Sequence, residues 1–93
     1  MREKEIEKKL TQMVKQAGGI CPKLVSPGFD VMPDRMVLLP NGRIGFVEVK
    51  TPGEKPRPLQ LSRHRLLRRL GFPVYVLDDM EQIGGILDEI RTS

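Results

Sequence analysis

The chain has 93 residues, too few for two independent cores, so a single domain over 1–93 is expected. A hydrophobic fraction of 39% and a charged fraction of 30% are those of an ordinary globular protein and exclude extended disorder. No apolar run approaches bilayer-spanning length, the charged start MREKEIEKK is unlike a secretion signal, and the lone Cys21 excludes an internal disulfide; the expectation is a cytoplasmic protein with no membrane partner.

From Glu3 to Ala17, apolar Ile6, Leu10, Met13, Val14 and Ala17 recur at spacings of three and four, which predicts an amphipathic helix stopped by Gly18-Gly19. Ile20 to Val25 is short and apolar and reads as a strand, closed by the loop that begins at Ser26-Pro27-Gly28. Met36 to Leu39 is a second strand, and Asn41-Gly42 supplies a tight turn into an antiparallel third strand, Arg43 to Thr51, ended by Pro52-Gly53.

Pro58 opens a second helix, 58–70, whose apolar side is read as Leu59, Leu66, Leu67 and Leu70. Phe72 to Leu77 is a fourth strand, and Asp78 or Asp79 caps a last helix carrying Met80, Ile83, Ile86, Leu87 and Ile90, weakened by Gly84-Gly85. The order αβββαβα, without repeats or an internal linker, predicts an α/β fold with a mixed central sheet flanked by helices.

The net charge of +4 is unevenly spread: Lys55 to Arg69 holds six Lys or Arg and no acidic residue. Such a stretch suits a phosphate backbone through counterion release, although a solvated helix face accounts for the charges equally well. His64, the only histidine, is read as a surface residue on this helix, able to touch phosphate and without a His or Cys partner for zinc.

The third strand departs from a plain core pattern, because residues two apart share a face and Glu48 and Lys50 therefore project together while Val47 and Val49 point into the core. An ion pair explains two such residues as well as chemistry does. Asp34 alters the balance. With the turn centred on Asn41-Gly42 and no bulge, Asp34 falls opposite Val49, between Glu48 and Lys50. Two adjacent carboxylates invite a divalent cation, and oxygen ligands suit Mg2+ or Mn2+. With a lysine beside them, the chemistry is that of phosphodiester hydrolysis.

Pro33-Asp34, thirteen intervening residues and Glu48-Val49-Lys50 resemble the PD-(D/E)XK nuclease signature. Together with Ser26-Pro27-Gly28, Arg35, Val37-Leu38-Leu39-Pro40, Phe46-Val47 and Gln60, they resemble the VRR-NUC domain over nearly the whole chain, in the stand-alone form found in phages and bacteria.

The resemblance implies a restriction-endonuclease-like fold. It also implies metal ligation by Asp34, Glu48 and the Val49 carbonyl, with Lys50 acting on the nucleophilic water or the scissile phosphate and Gln60 close by. A glutamate of the first helix is implied as well. Glu7 is chosen for its spacing to Gly18, with Glu3 as substitute. Relatedness to junction-resolving and repair nucleases implies an endonuclease cutting branched DNA, such as Holliday junctions, as a homodimer in DNA repair. Lys55, Arg57, Arg63 and His64 are then the candidate DNA contacts. A non-catalytic nucleic-acid-binding module is the competing reading, disfavoured because carboxylates facing phosphates help only when a cation bridges them.

Overall fold

The computed structural model describes residues 2–93. Helix α1 spans Glu3–Gln16, strand β1 Arg35–Leu39, strand β2 Arg43–Val49, helix α2 Pro58–Arg69, strand β3 Val74–Leu77 and helix α3 Ile83–Thr92, with a 3-10 turn at Met80–Gln82 leading into α3. The sheet order is β1-β2-β3; β2 is central, antiparallel to β1 and parallel to β3, with α2 making the crossover. The mixed sheet with flanking helices agrees with the sequence reading. No helix of the described residues is long and apolar enough to cross a membrane.

The expected strand at Ile20 to Val25 is a broken one. Ile20 exchanges both backbone bonds with Leu38, and Leu24 N–H donates to the Asp34 carbonyl. Between them the Pro22 carbonyl accepts from Met36 but proline has no N–H to return. Isolated bridges at Ile20–Leu38 and Lys23–Arg35 result, so the segment lies along β1 as an interrupted edge.

The hairpin also differs from the expected two-residue turn. Leu39 pairs with Arg43, leaving Pro40, Asn41 and Gly42 as a three-residue loop in which Asn41 (φ 69°) and Gly42 (φ 71°) are left-handed. The register becomes Arg35 opposite Val47, and one further step sets Asp34 opposite Glu48 rather than Val49. A one-residue slip in register exchanges the faces of a strand. Asp34 now shares a face with Glu48.

The faces of the sheet have different roles. Val37, Leu39, Val47 and Val49 pack with Ile6, Leu10 and Val14 of α1 and Ile83, Ile86, Leu87 and Ile90 of α3 in the main core. A Cβ at Gly45 would lie 2.5 Å from Ile90 Cδ1, so glycine is what lets α3 sit against β2. Gly84 and Gly85 face open space and leave α3 continuous.

On the other face Phe46 packs with Leu67 and Val74 in a smaller apolar cluster beneath α2. Here the expected leucine side of α2 is corrected: Leu59 and Leu70 are exposed, and the buried residues are Gln60, His64 and Leu67. Their spacing of three and four is helical, and their polar end covers the one acidic residue buried on β2.

Candidate active site

Asp34 stands immediately ahead of β1 and its side chain is held by β2. Its Oδ2 accepts the backbone N–H of Val49 at 2.8 Å, replacing a ladder carbonyl. Extending the register sets Pro33 opposite Val49, and proline has no N–H to offer the Val49 carbonyl. Proline followed by aspartate thus ends the pairing and fixes a carboxylate at the point where it ends.

Glu48 is 2% exposed on the central strand, with Asp34 on one side and α2 above. Gln60 Nε2 donates to Glu48 Oε2 at 3.2 Å, while Gln60 Oε1 accepts the Arg57 backbone N–H at 2.8 Å. The start of α2 therefore orients Gln60, and Gln60 orients Glu48. One turn later His64, 1% exposed, brings Nε2 to 3.6 Å from Glu48 Oε1. Glu48 Oε1 and both His64 ring nitrogens are buried without a hydrogen-bond partner.

Burial raises the Glu48 carboxyl to about 8, reinforced by the adjacent Asp34 carboxyl, which is close enough to share a proton, and by the more distant Glu3 charge. The Lys50 ammonium acts in the opposite direction. Burial lowers the His64 pKa, and the positive charges of Arg68 and Lys50 lower it further, so the imidazole is neutral near pH 7. A carboxyl held protonated next to a second carboxyl is the electrostatic condition that a divalent cation relieves.

The residues fit such a cation in the nature of their donors. Asp34 and Glu48 supply hard oxygens, Glu48 Oε1 lacks a partner, and the Val49 carbonyl lies where the ladder stops. Among the described residues no group of three or more His, Cys, Asp or Glu side chains could hold a metal; the oxygens that could serve here are those of the two carboxylates and the Val49 carbonyl. A cation held there would make Lewis-acid activation available beside Lys50.

The first-helix glutamates separate. Glu7 Oε2 accepts from Arg35 Nε at 2.9 Å, and Arg35 Nη1 also donates to the Cys21 carbonyl at 2.8 Å. Glu7 thus ties α1 to β1. Glu3, exposed and one turn nearer the helix start, is the first-helix acid whose charge acts on Glu48. Glu3, Glu7 and Asp34 share an open cleft of about 320 Å³ with Lys23 and Val25. Cys21, whose thiol burial pushes to about 11, is no nucleophile.

Of the residues expected to meet DNA, Lys55 and Arg57 are exposed at the entrance to α2. Arg63 is half-buried: its Nε donates to the Asp30 carbonyl at 2.8 Å and its guanidinium lies 4.2 Å from the centre of the Phe29 ring. His64 is corrected from a surface position to a buried one, because α2 turns its 60–64–67 face to the sheet and leaves no path from the imidazole to a phosphate. The sequence reading missed Arg35 as the partner of Glu7 and His64 as the neighbour of Glu48. The spacing of four between Gln60 and His64 was the signal for the second.

No family model matches the chain. It is 54% identical over 81 residues to a protein of Acyrthosiphon pisum secondary endosymbiont phage 1 named "Putative nuclease p44", with 87% of each chain covered. Its structure is similar to that of a solved VRR-NUC domain, with a TM-score of 0.86 and 34% identity over 92% of this chain and 94% of the other.

Proposed function

The chain belongs to the VRR-NUC family of nucleases, and on that premise we propose that it is a divalent-metal-dependent DNA endonuclease selective for branched structures such as Holliday junctions. In this reading Asp34, Glu48 and the Val49 carbonyl hold Mg2+ or Mn2+. A cation bound there supplies a Lewis acid to the phosphate oxygens and lowers the pKa of a water. Lys50 holds the scissile phosphate or orients the attacking water, Gln60 keeps the Glu48 carboxylate in place, and Glu3 adds negative charge at the edge of the site.

The observation that carries the reading is the pair of carboxyls on one sheet face, with Glu48 pushed to about 8 and its Oε1 without a partner. A purely structural acid in that position would be expected to meet a cationic side chain or a full set of donors, and Glu48 has neither. Lys55, Arg57 and Arg63 supply positive charge at the start and flank of α2, where a phosphate backbone approaching the carboxyls would pass. Two cuts across a junction require two sites, and a homodimer of this small chain supplies them.

The test is incubation of a four-way junction, a flap, a duplex and single strands with the protein, with Mg2+, with Mn2+ and with chelator. Metal-dependent cuts at the branch are expected. Equal cutting of every substrate would remove the structure selectivity, and salt-sensitive binding without any cutting would replace the enzyme by a binding module.

A further inference from the structure

The α2 helix offers Glu48 a side chain for each of its oxygens, and only one of the contacts is closed. Gln60 Nε2 donates to Oε2 at 3.2 Å, whereas His64 Nε2 faces Oε1 at 3.6 Å and neither atom has a hydrogen-bond partner. Buried polar groups left in this state are costly, and the separation is too short to admit a bridging water. They can be satisfied by each other. Hydrogen bonds in metal-free and substrate-free sites are often long and tighten when the site fills.

We propose that His64 is a positioning residue for the metal-binding carboxylate: its Nε2–H closes on Glu48 Oε1 and, with Gln60 on Oε2, fixes the carboxylate plane presented to the cation. The inference rests on the metal-dependent reading of the site. Gln60 and His64 are one helical turn apart, so the two donors descend from a single rigid element onto the two oxygens of one group. The Gln60 side chain is in turn fixed by the Arg57 N–H, and His64 by full burial beside the Phe46, Leu67 and Val74 cluster. The ring points away from the basic face of α2, so its role is inside the site and separate from DNA contact.

The test is Mn2+ binding to the full chain, followed by calorimetry and by the Mn2+ electron spin resonance signal, in the parent and in His64→Phe, His64→Met and His64→Gln. Phe and Met keep apolar volume and lose the donor; Gln keeps an N–H at comparable reach. Mn2+ affinity is expected to fall about 10–100-fold in the Phe and Met variants and to recover most of that loss in His64→Gln, with circular dichroism unchanged. A packing role gives the reverse order, with Phe and Met binding like the parent, and that result overturns the inference. Should His64→Phe not fold, the Met and Gln pair decides the same question. A parent chain that takes no Mn2+ overturns both the metal reading and this inference, whereas parent binding lost in Asp34→Ala and kept in His64→Phe overturns the inference alone.

Discussion

Asp34 Oδ2 accepts the Val49 backbone N–H at 2.8 Å, which makes one carboxylate both the end of a sheet ladder and a wall of the site. The two roles separate by substitution. Asp34→Asn keeps an oxygen acceptor for Val49 and removes the charge, so its thermal stability should match the parent while cleavage falls by about 10²–10³-fold or more. Asp34→Ala should also lose cleavage and, with the Val49 N–H unsatisfied, about 1–3 kcal/mol of stability. Equal unfolding midpoints for the Ala and Asn variants would dissociate the hydrogen bond from the fold.

Glu48 makes metal-free stability fall with rising pH. Its folded carboxyl is raised to about 8, above the ordinary carboxylate value, so between about 4.5 and about 8 the folded chain binds more protons than the unfolded chain. The stabilising effect is full below that interval and is lost as pH rises through it. Thermal melts in chelator should show the slope, and Glu48→Gln should flatten it. Mn2+ affinity should rise over the same interval, because the metal displaces the Glu48 proton. A parent profile as flat as that of Glu48→Gln would contradict the burial-driven shift.

Glu3 and Glu7 should fail differently. Glu7→Gln keeps an oxygen acceptor for Arg35 but removes the charge of its partly buried partner and should cost about 1 kcal/mol in stability, while cleavage by the folded protein stays near the parent rate. Glu3→Gln should leave stability unchanged and lower cleavage. Chemical denaturation beside single-turnover cleavage checks both, and a catalytic loss confined to Glu7→Gln would reverse the roles.

Gly45 should tolerate no side chain unless α3 gives way. Gly45→Ala places a Cβ against Ile90 and should destabilise by about 1–3 kcal/mol, with Ile90→Ala in the same chain recovering part of the loss. A double-mutant cycle by denaturant melts measures the coupling, and zero coupling would contradict the contact.

Lys55→Ala and Arg57→Ala should each weaken DNA binding on all substrates and lower the slope of log K against log salt by about 1. Anisotropy titrations at several salt concentrations provide the slope, and an unchanged slope would remove that residue from the interface.

Most of the architecture was legible because apolar periodicity marks α1, α3, β1 and β2 directly. In the candidate site, the nearness of Asp34 to Glu48 and Lys50 was legible, because the hairpin joins the strands that carry them. The register was not: a two-residue and a three-residue loop at Asn41-Gly42 are equally compatible with the sequence, and only the paired backbone distinguishes them. Nor was the orientation of α2, since four leucines outweigh one glutamine and one histidine in any count of hydrophobicity. The helix turns the other way because Glu48 needs cover that can form hydrogen bonds, a requirement carried by a residue on a different element. The pairing of Glu7 with Arg35 was hidden similarly, since it joins residues 28 apart across two elements.

The most direct test of the central claim is single-turnover cleavage of a four-way junction by the parent, Asp34→Asn, Glu48→Gln and Lys50→Ala, each shown to be folded, in Mg2+, in Mn2+ and in chelator. Cutting by the parent only when metal is present, and loss of cutting in all three variants, is the expected result. Cutting in chelator, or variants that cut at the parent rate, would contradict it.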